Sequence, residues 1–422
     1  MNKTARFFLI LSLCISLSSC GLTAARIDPG KITSLNIIDR NGMSETIQSK
    51  DRLAAYEKTN FLSPQPYQKV MRVYGQEKNG DKRSCITSYH PNGQVKQSLE
   101  ALNNRAYGNY QEWYQNGQIK IQAKVIGGIA DLNTQAEESW LFDGSNKAWD
   151  EEGNLVARVQ YSKGELQGES LYYHPNGNIW KQNWHEKNSL HGSQQVFLEN
   201  GTLFQSREFR NGASEGVSIR YWSEGSIAYQ EEYQQGSLQR AVYYDRSGEL
   251  VSQIQEGRGF RAVFGKNELQ ELQEYKEGRQ KGEVKVFDGT DLAQVYQIRE
   301  GIKEGEEIDY FPGTKQPKLL VTWSEGILQG PMKSWYENGN LESQREISEN
   351  KKNGLLTAWY RNGALMLVEE YDNDKLTKGE YYRNGEKAPI SHVDQGKGIA
   401  TLFNPEGNFS RKIHYYDGRP VE

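Results

Sequence analysis

The chain has 422 residues, with 51 Lys plus Arg against 55 Asp plus Glu and a formal net charge of −4, the two signs interleaved along its length. Binding to nucleic acid, or electrostatic adhesion to anionic lipid, needs clustered Lys and Arg, and the sequence has no such cluster. Gly (42) and Tyr (25) are abundant while Met (5) and Pro (11) are scarce, a profile of strands and turns that excludes a helix bundle.

Residues 1–19 read as processing information. Lys3 and Arg6 precede the apolar run "FFLILSLCISL", which is short for a bilayer span, and "LSSC" closes it with small residues ahead of Cys20. Leu17-Ser18-Ser19-Cys20 resembles the lipobox of a bacterial lipoprotein signal. The resemblance implies cleavage before Cys20, acylation of that Cys with palmitate-type chains, residues 20–27 as a tether, and a membrane anchor. Gly21 after the Cys would, by the same resemblance, favour the outer membrane, on its periplasmic or surface face. An ordinary secretory signal or a single membrane anchor is the alternative. Loss of Lys3 and Arg6 would take the net charge from −4 to −6. Cys14 lies inside the signal, so Cys85 would be the one thiol left in the mature body and no internal disulfide is expected.

Residues 28–83 form a segment of different character. "ITSLNIIDRNGMSETIQ" predicts a hairpin about Asn41-Gly42, "SKDRLAAYEKTNF" a short helix capped at Ser49 or Asp51, and "QKVMRVYGQEKNGDKRSCITSYH" a second hairpin. This segment is expected to be a small α+β cap over the first edge of the sheet that the remaining residues form, a separate binding domain being the alternative.

From residue 84 to 418 one phrase recurs. With a turn glycine as position zero, Gly93, Gly117, Gly153, Gly177, Gly201, Gly225, Gly248, Gly339, Gly363, Gly385 and Gly407 all qualify, and from Gly153 to Gly225 the step is 24 residues throughout. Four residues earlier stands an aromatic, including Trp113, Tyr173, Tyr221, Trp335, Trp359 and Tyr381; two residues later stands an apolar side chain, with Lys387 the exception. This spacing predicts a three-residue hairpin loop, a type I turn closed by a left-handed glycine in a G1 bulge, with position −4 facing +2 across the ladder. A second glycine nine residues before the first, as in Gly168, Gly216 and Gly330, is expected to mark the turn between one hairpin and the next. Around "IGGIADLNTQAEE" a dozen extra residues predict an enlarged loop, and between 249 and 312 the phrase decays.

The pattern Y-x-x-G-x-x-x-G-x-x-x-x-[WYF]-x-x-x-G-x-[LIV] resembles the MORN repeat, and more closely its bacterial variant, which is sometimes described as an antitoxin component. The resemblance implies an all-β fold: an elongated antiparallel meander of stacked β-hairpin repeats with aromatics lining one face. Roughly 26 strands at about 4.8 Å spacing would extend on the order of 120 Å.

Chemistry is sparse. His90 and His174 share one turn position in "YHPNG", which makes them repeat residues, and His185, His191, His392 and His414 lack the spacing of metal ligands. The H-E-x-x-H, P-loop and strand-linked G-x-G-x-x-G patterns do not occur, so no enzyme, cofactor or metal is expected. Cys85 is expected to be a small sheet residue. The aromatics Trp113, Tyr173, Tyr221, Trp335, Trp359 and Tyr381 are candidate contacts for an unidentified protein partner, the alternative being that the ladder is the core of the sheet. Two functions are expected from these features: a membrane-anchored, non-enzymatic interaction scaffold, or an antitoxin or immunity protein that neutralises a toxin by binding.

Overall fold

The computed structural model describes residues 31–421; the signal segment, Cys20 and the tether lie outside the described residues. The fold is nearly all-β and antiparallel, and the described residues divide into two compact units, 31–177 and 178–421.

In the first unit the strand Ile32–Asp39 pairs on one side with Ser44–Ile47 and on the other with Gln68–Gln76, which pairs in turn with Lys82–Tyr89. The segment ahead of the repeats therefore joins their sheet directly. Its helix, Lys50–Ala54, carries Leu53 into a cluster with Leu35, Ile47, Met71, Val73, Tyr89 and Val95. Ser49 is the N-cap residue, without a side-chain cap bond. From Lys82 to Tyr173 each strand pairs with the next in sequence. The extra residues between Gly127 and Leu141 hold a second short helix, Thr134–Glu138, capped by Asn133 onto the Ala136 amide. They return Trp140 to the sheet, where it is 7% exposed and packs 4.7 Å from Tyr110.

The second unit continues strand by strand from Ile179–Glu186 to Arg419–Val421. Pairing does not lapse between 249 and 312. What changes is the turn: Phe264 pairs with Leu269, Asp288 with Asp291, and Tyr310 with Pro317, so strand alternation survives while the consensus turn is lost.

A single sheet layer has no second layer to bury its apolar face. This unit solves the problem locally by curling. Leu238 N–H donates to Gly278 O at 3.1 Å, Gly278 N–H to Gly257 O at 3.0 Å, and Gly257 N–H to Gln239 O at 2.9 Å, so turns of successive hairpins meet. Glycine is required at the approach, since a Cβ on Gly257 would lie 2.5 Å from Gly278 N and one on Gly259 2.2 Å from Gln253 O. Inside the curl, Trp222, Tyr229, Leu238, Tyr243, Ile254 and Phe264 form a buried cluster. The device is built twice. Leu376 N–H donates to Gly418 O, Gly418 N–H to Gly396 O and Gly396 N–H to Thr377 O, around Tyr371, Leu376, Tyr381 and Val393.

Two expectations need correction. The glycines at −9 are not at the turn: the reversal is a two-residue turn such as Lys163-Gly164 (φ 51° and 92°), and Gly168 lies four residues later, at the irregularity between Leu166 and Ser170. The equivalent Gly108 makes room for a cross-strand side chain, since a Cβ there would collide with Glu100, whose Oε2 accepts from the Asn109 amide at 2.9 Å, whereas a Cβ on Gly168 would meet Gln160 at ordinary contact distance. Gly385 does not close a consensus hairpin either. Tyr381 pairs with Ser391 and a longer loop intervenes, so Lys387 occupies no rung position.

Candidate functional site

The consensus turn is confirmed where the phrase is intact. Trp335 pairs with Leu341 beside a bulge, Tyr336 N–H donates to Asn340 O, and Gly339 has φ 91°. Trp113 and Ile119, Trp359 and Leu365, and Tyr221 and Ile227 repeat the geometry. Each such aromatic–aliphatic pair contributes about 0.2–1 kcal/mol.

The remaining letters of "WYxNG" hold one rung to the next. Tyr336 Oη donates to Trp359 O at 2.8 Å, Tyr360 Oη to Tyr382 O at 2.6 Å, and Tyr114 Oη to Trp149 O at 2.9 Å. Trp222 Nε1 does the same to Tyr244 O at 3.2 Å. His90 acts in this way too, its Nε2 donating to Trp113 O at 2.8 Å, which fixes its tautomer. The Asn before the glycine both accepts and donates: Asn338 Oδ1 accepts from the Asn340 amide at 3.1 Å, and its Nδ2 donates to Arg361 O at 2.8 Å. In sequence the −4 aromatic is the conspicuous position; the carriers of inter-rung contact stand at −3 and −1.

Strand alternation puts the −4/+2 pairs on the same face as a buried polar row. Registers align Asn183, Gln194, Arg207, Ser218 and Glu231 directly across successive strands, and Asn183, Gln194, Ser218 and Glu231 are all buried. Glu231 accepts from Tyr233 Oη at 2.8 Å, Tyr243 Oη at 2.9 Å and Arg261 Nε at 2.8 Å. Burial, then the charge of Glu231, pushes both tyrosines far above their ordinary range. Burial alone would lower the Arg261 guanidinium, but the Glu231 carboxylate outweighs it and raises it. Glu369 is held by Tyr371 Oη at 2.9 Å and Tyr381 Oη at 2.8 Å. Glu307 accepts from Trp323 Nε1 at 2.7 Å and Gln294 Nε2 at 3.0 Å and pairs with Lys303. Each of these carboxylates holds two or three donors, an arrangement suited to pinning strand register: a one-residue slip would leave the carboxylate without them.

Among the six aromatics singled out in sequence, Trp113, Tyr173, Tyr221, Trp335 and Trp359 are half-buried on this inner face, and Trp113 packs against the cluster around Tyr89 and Val95. Tyr381 is 1% exposed with its hydroxyl on Glu369, so it is core and offers no surface. Large apolar side chains with greater exposure lie mid-strand on the opposite face, among them Trp184 (45%), Val217 (41%) and Leu355 (54%), interspersed with Glu232, Glu346 and Glu370. Cys85 is half-buried, with Sγ 3.5 Å from Ser98 Oγ, and burial pushes its thiol up.

The family model of the MORN repeat variant matches residues 106–124, 166–183 and 328–347, so the chain carries this repeat in three places. No curated protein matches the sequence. Across 92% of the chain there is similarity to the Photorhabdus luminescens Tc holotoxin pore, at 11% identity, TM-score 0.15 and 27% of that chain. TcdB2-TccC3 without its hypervariable C-terminal region is similar at 10% identity, TM-score 0.14 and 26% of its chain, again over 92% of this one. This chain thus spans about a quarter of the length of either structure, and similarity at that TM-score carries no argument.

Proposed function

We propose that the protein is a non-enzymatic interaction scaffold, held to the cell envelope by a lipid on Cys20 and presenting its repeat sheet to protein or envelope-polymer partners. The observation that carries this reading is the outer face. An antiparallel sheet face left to solvent is ordinarily polar, yet Trp184, Val217 and Leu355 are exposed there at mid-strand. Repeats that use their −4, −3, −1 and zero positions to hold one another leave the outer positions free to vary, which is how stacked repeats build extended binding surfaces. The signal-like Leu17-Ser18-Ser19-Cys20 supports the tether, and Gly21 the outer membrane.

Photocrosslinking from positions 184, 217 and 355 in intact cells tests the scaffold. Adducts with envelope components from these positions, and none from buried Tyr381, are expected; an absence of adducts from all three would sink the reading. A single dominant toxin among the adducts would assign the immunity role instead. The tether is tested by Cys20→Ala, expected to abolish palmitate incorporation and release the protein from the membrane fraction.

A further inference from the structure

The two curled segments of the second unit are copies of one another. "QEEYQQGSLQRAVYY" (230–244) and "IQEGRGFRAVF" (254–264) correspond to "VEEYDNDKLTKGEYY" (368–382) and "VDQGKGIATLF" (393–403). Glu231, Tyr233, Tyr243, Gly257, Gly259 and Phe264 find their counterparts in Glu369, Tyr371, Tyr381, Gly396, Gly398 and Phe403. Positions at which the copies differ therefore show what the curl does not require.

The sharpest difference surrounds a recess of about 190 Å³ in the first copy, lined by Phe204, Gln205, Arg207, Arg220, Tyr229 and Arg261 among others. Cross-strand registers place Gln205 opposite Arg220 and Arg220 opposite Tyr229 on the inner face. Arg261 is neutralised by Glu231. Arg207 and Arg220 form no ion pair among the described residues. With the Gln205 amide oxygen turned toward it, Arg207 donates through Nη2 at 2.8 Å and Nε at 2.9 Å, a neutral acceptor for a full charge. Arg220 donates to Phe264 O at 2.8 Å and Gly265 O at 2.6 Å and stacks over Phe204, 5.0 Å from the ring centre. Its Nε is buried with no acceptor. Guanidinium groups present five donors each, so most of these remain uncommitted around one recess.

In the second copy Ala358 stands for Arg220, Ala400 for Arg261 and Leu367 for Tyr229, and the curl closes all the same, with Arg361 N–H on Pro405 O at 3.1 Å. Closure alone does not call for the arginines. Two half-buried, unneutralised guanidinium groups, one with a buried Nε that meets no acceptor, are costly unless an anion meets them, and the planar fork of Arg matches the two oxygens of a carboxylate or phosphate. We infer that the recess between Arg207 and Arg220 is a binding site for a single oxyanion, a carboxylate or a phosphate. Burial weakens the hold of Arg220 on its proton more than neighbouring Tyr229 strengthens it, with Arg207 adding to the weakening. The inference does not depend on the tether or the scaffold reading.

Calorimetric titration of the full chain at low ionic strength, with inorganic phosphate in one arm and a tetraglutamate peptide in the other, tests it. At least one probe is expected to bind, and Arg207→Gln and Arg220→Ala should each weaken it by about tenfold or more. Arg345→Ala, at the counterpart of Arg207, should leave it unchanged. Tighter binding of the peptide would assign the anion to an acidic side chain of a partner protein, and tighter binding of phosphate to a free anion. Binding of neither probe, or binding that survives both substitutions, would overturn the proposal. Ala358 in the sister copy indicates that Arg220→Ala folds, and Arg207→Gln provides a second route.

Discussion

Tyr336 illustrates how one side chain does two jobs. Its ring is 6% exposed, while its hydroxyl satisfies the backbone carbonyl of Trp359 on the next rung. Tyr336→Phe keeps the ring and orphans that carbonyl, so a loss of about 1 kcal/mol is expected in chemical denaturation, with Asn338→Ala giving a loss of similar size. Unchanged stability in both would mean that these bonds are not what ties rungs together. The Glu231 cluster sets a second test. Glu231→Gln removes the charge partner of Arg261, whose side chain is 25% exposed, and a cost of about 3 kcal/mol is expected. Adding Arg261→Ala, as the second copy has at Ala400, should recover most of it. A double variant no better than the single one would contradict the pairing.

At the scale of elements, the turn glycines divide by what surrounds them. Gly201 has φ 84° with open space around its Cβ position, so Gly201→Ala meets only the left-handed backbone penalty, about 1 kcal/mol. Gly257 has φ 70°, and a Cβ on it would lie 2.5 Å from Gly278 N. Gly257→Ala adds a backbone collision to that penalty and should cost about 3 kcal/mol, while hydrogen exchange at the Leu238 amide, which donates to Gly278 O, should speed up selectively. Equal costs at the two glycines would show that the curl is looser than its hydrogen bonds indicate. The same contrast marks what is legible in sequence. The three-residue turn, the positive φ at its glycine and the aromatic–aliphatic pairing are readable from "WYENGNL" because each is a local rule within seven residues. The role of the −9 glycine is not, because a bulge four residues past a turn leaves no local phrase that separates it from the turn itself.

For the whole molecule, tyrosine burial dictates behaviour in alkali. Burial lifts the hydroxyls of Tyr89, Tyr110, Tyr233, Tyr243, Tyr371 and Tyr381 well above the ordinary tyrosine range, and Tyr336 to about 12. In the unfolded chain these groups ionise near pH 10. A raised folded value means that stability is complete below about pH 10 and is lost as pH rises through about 12. In a pH titration, tyrosinate absorbance from the buried set should therefore rise together with loss of the β-sheet circular dichroism. Full ionisation with the sheet intact would refute it.

Sequence alone determined the all-β class, the strand-and-turn unit and the residues that face each other across each consensus hairpin, since alternation and glycine placement encode these locally. A longer-range signal is also present, as "QEEYQQGSLQRAVYY" and "VEEYDNDKLTKGEYY" announce the duplicated curl, but its meaning emerges only once the two segments are seen to fold alike. Only tertiary structure decided which aromatic became core, as with Tyr381, and which arginines came to share one recess. Those outcomes depend on turns from successive hairpins meeting through glycine backbones, and on Arg207, Arg220 and Arg261 converging from three different strands. No spacing rule within one rung specifies a contact of that kind.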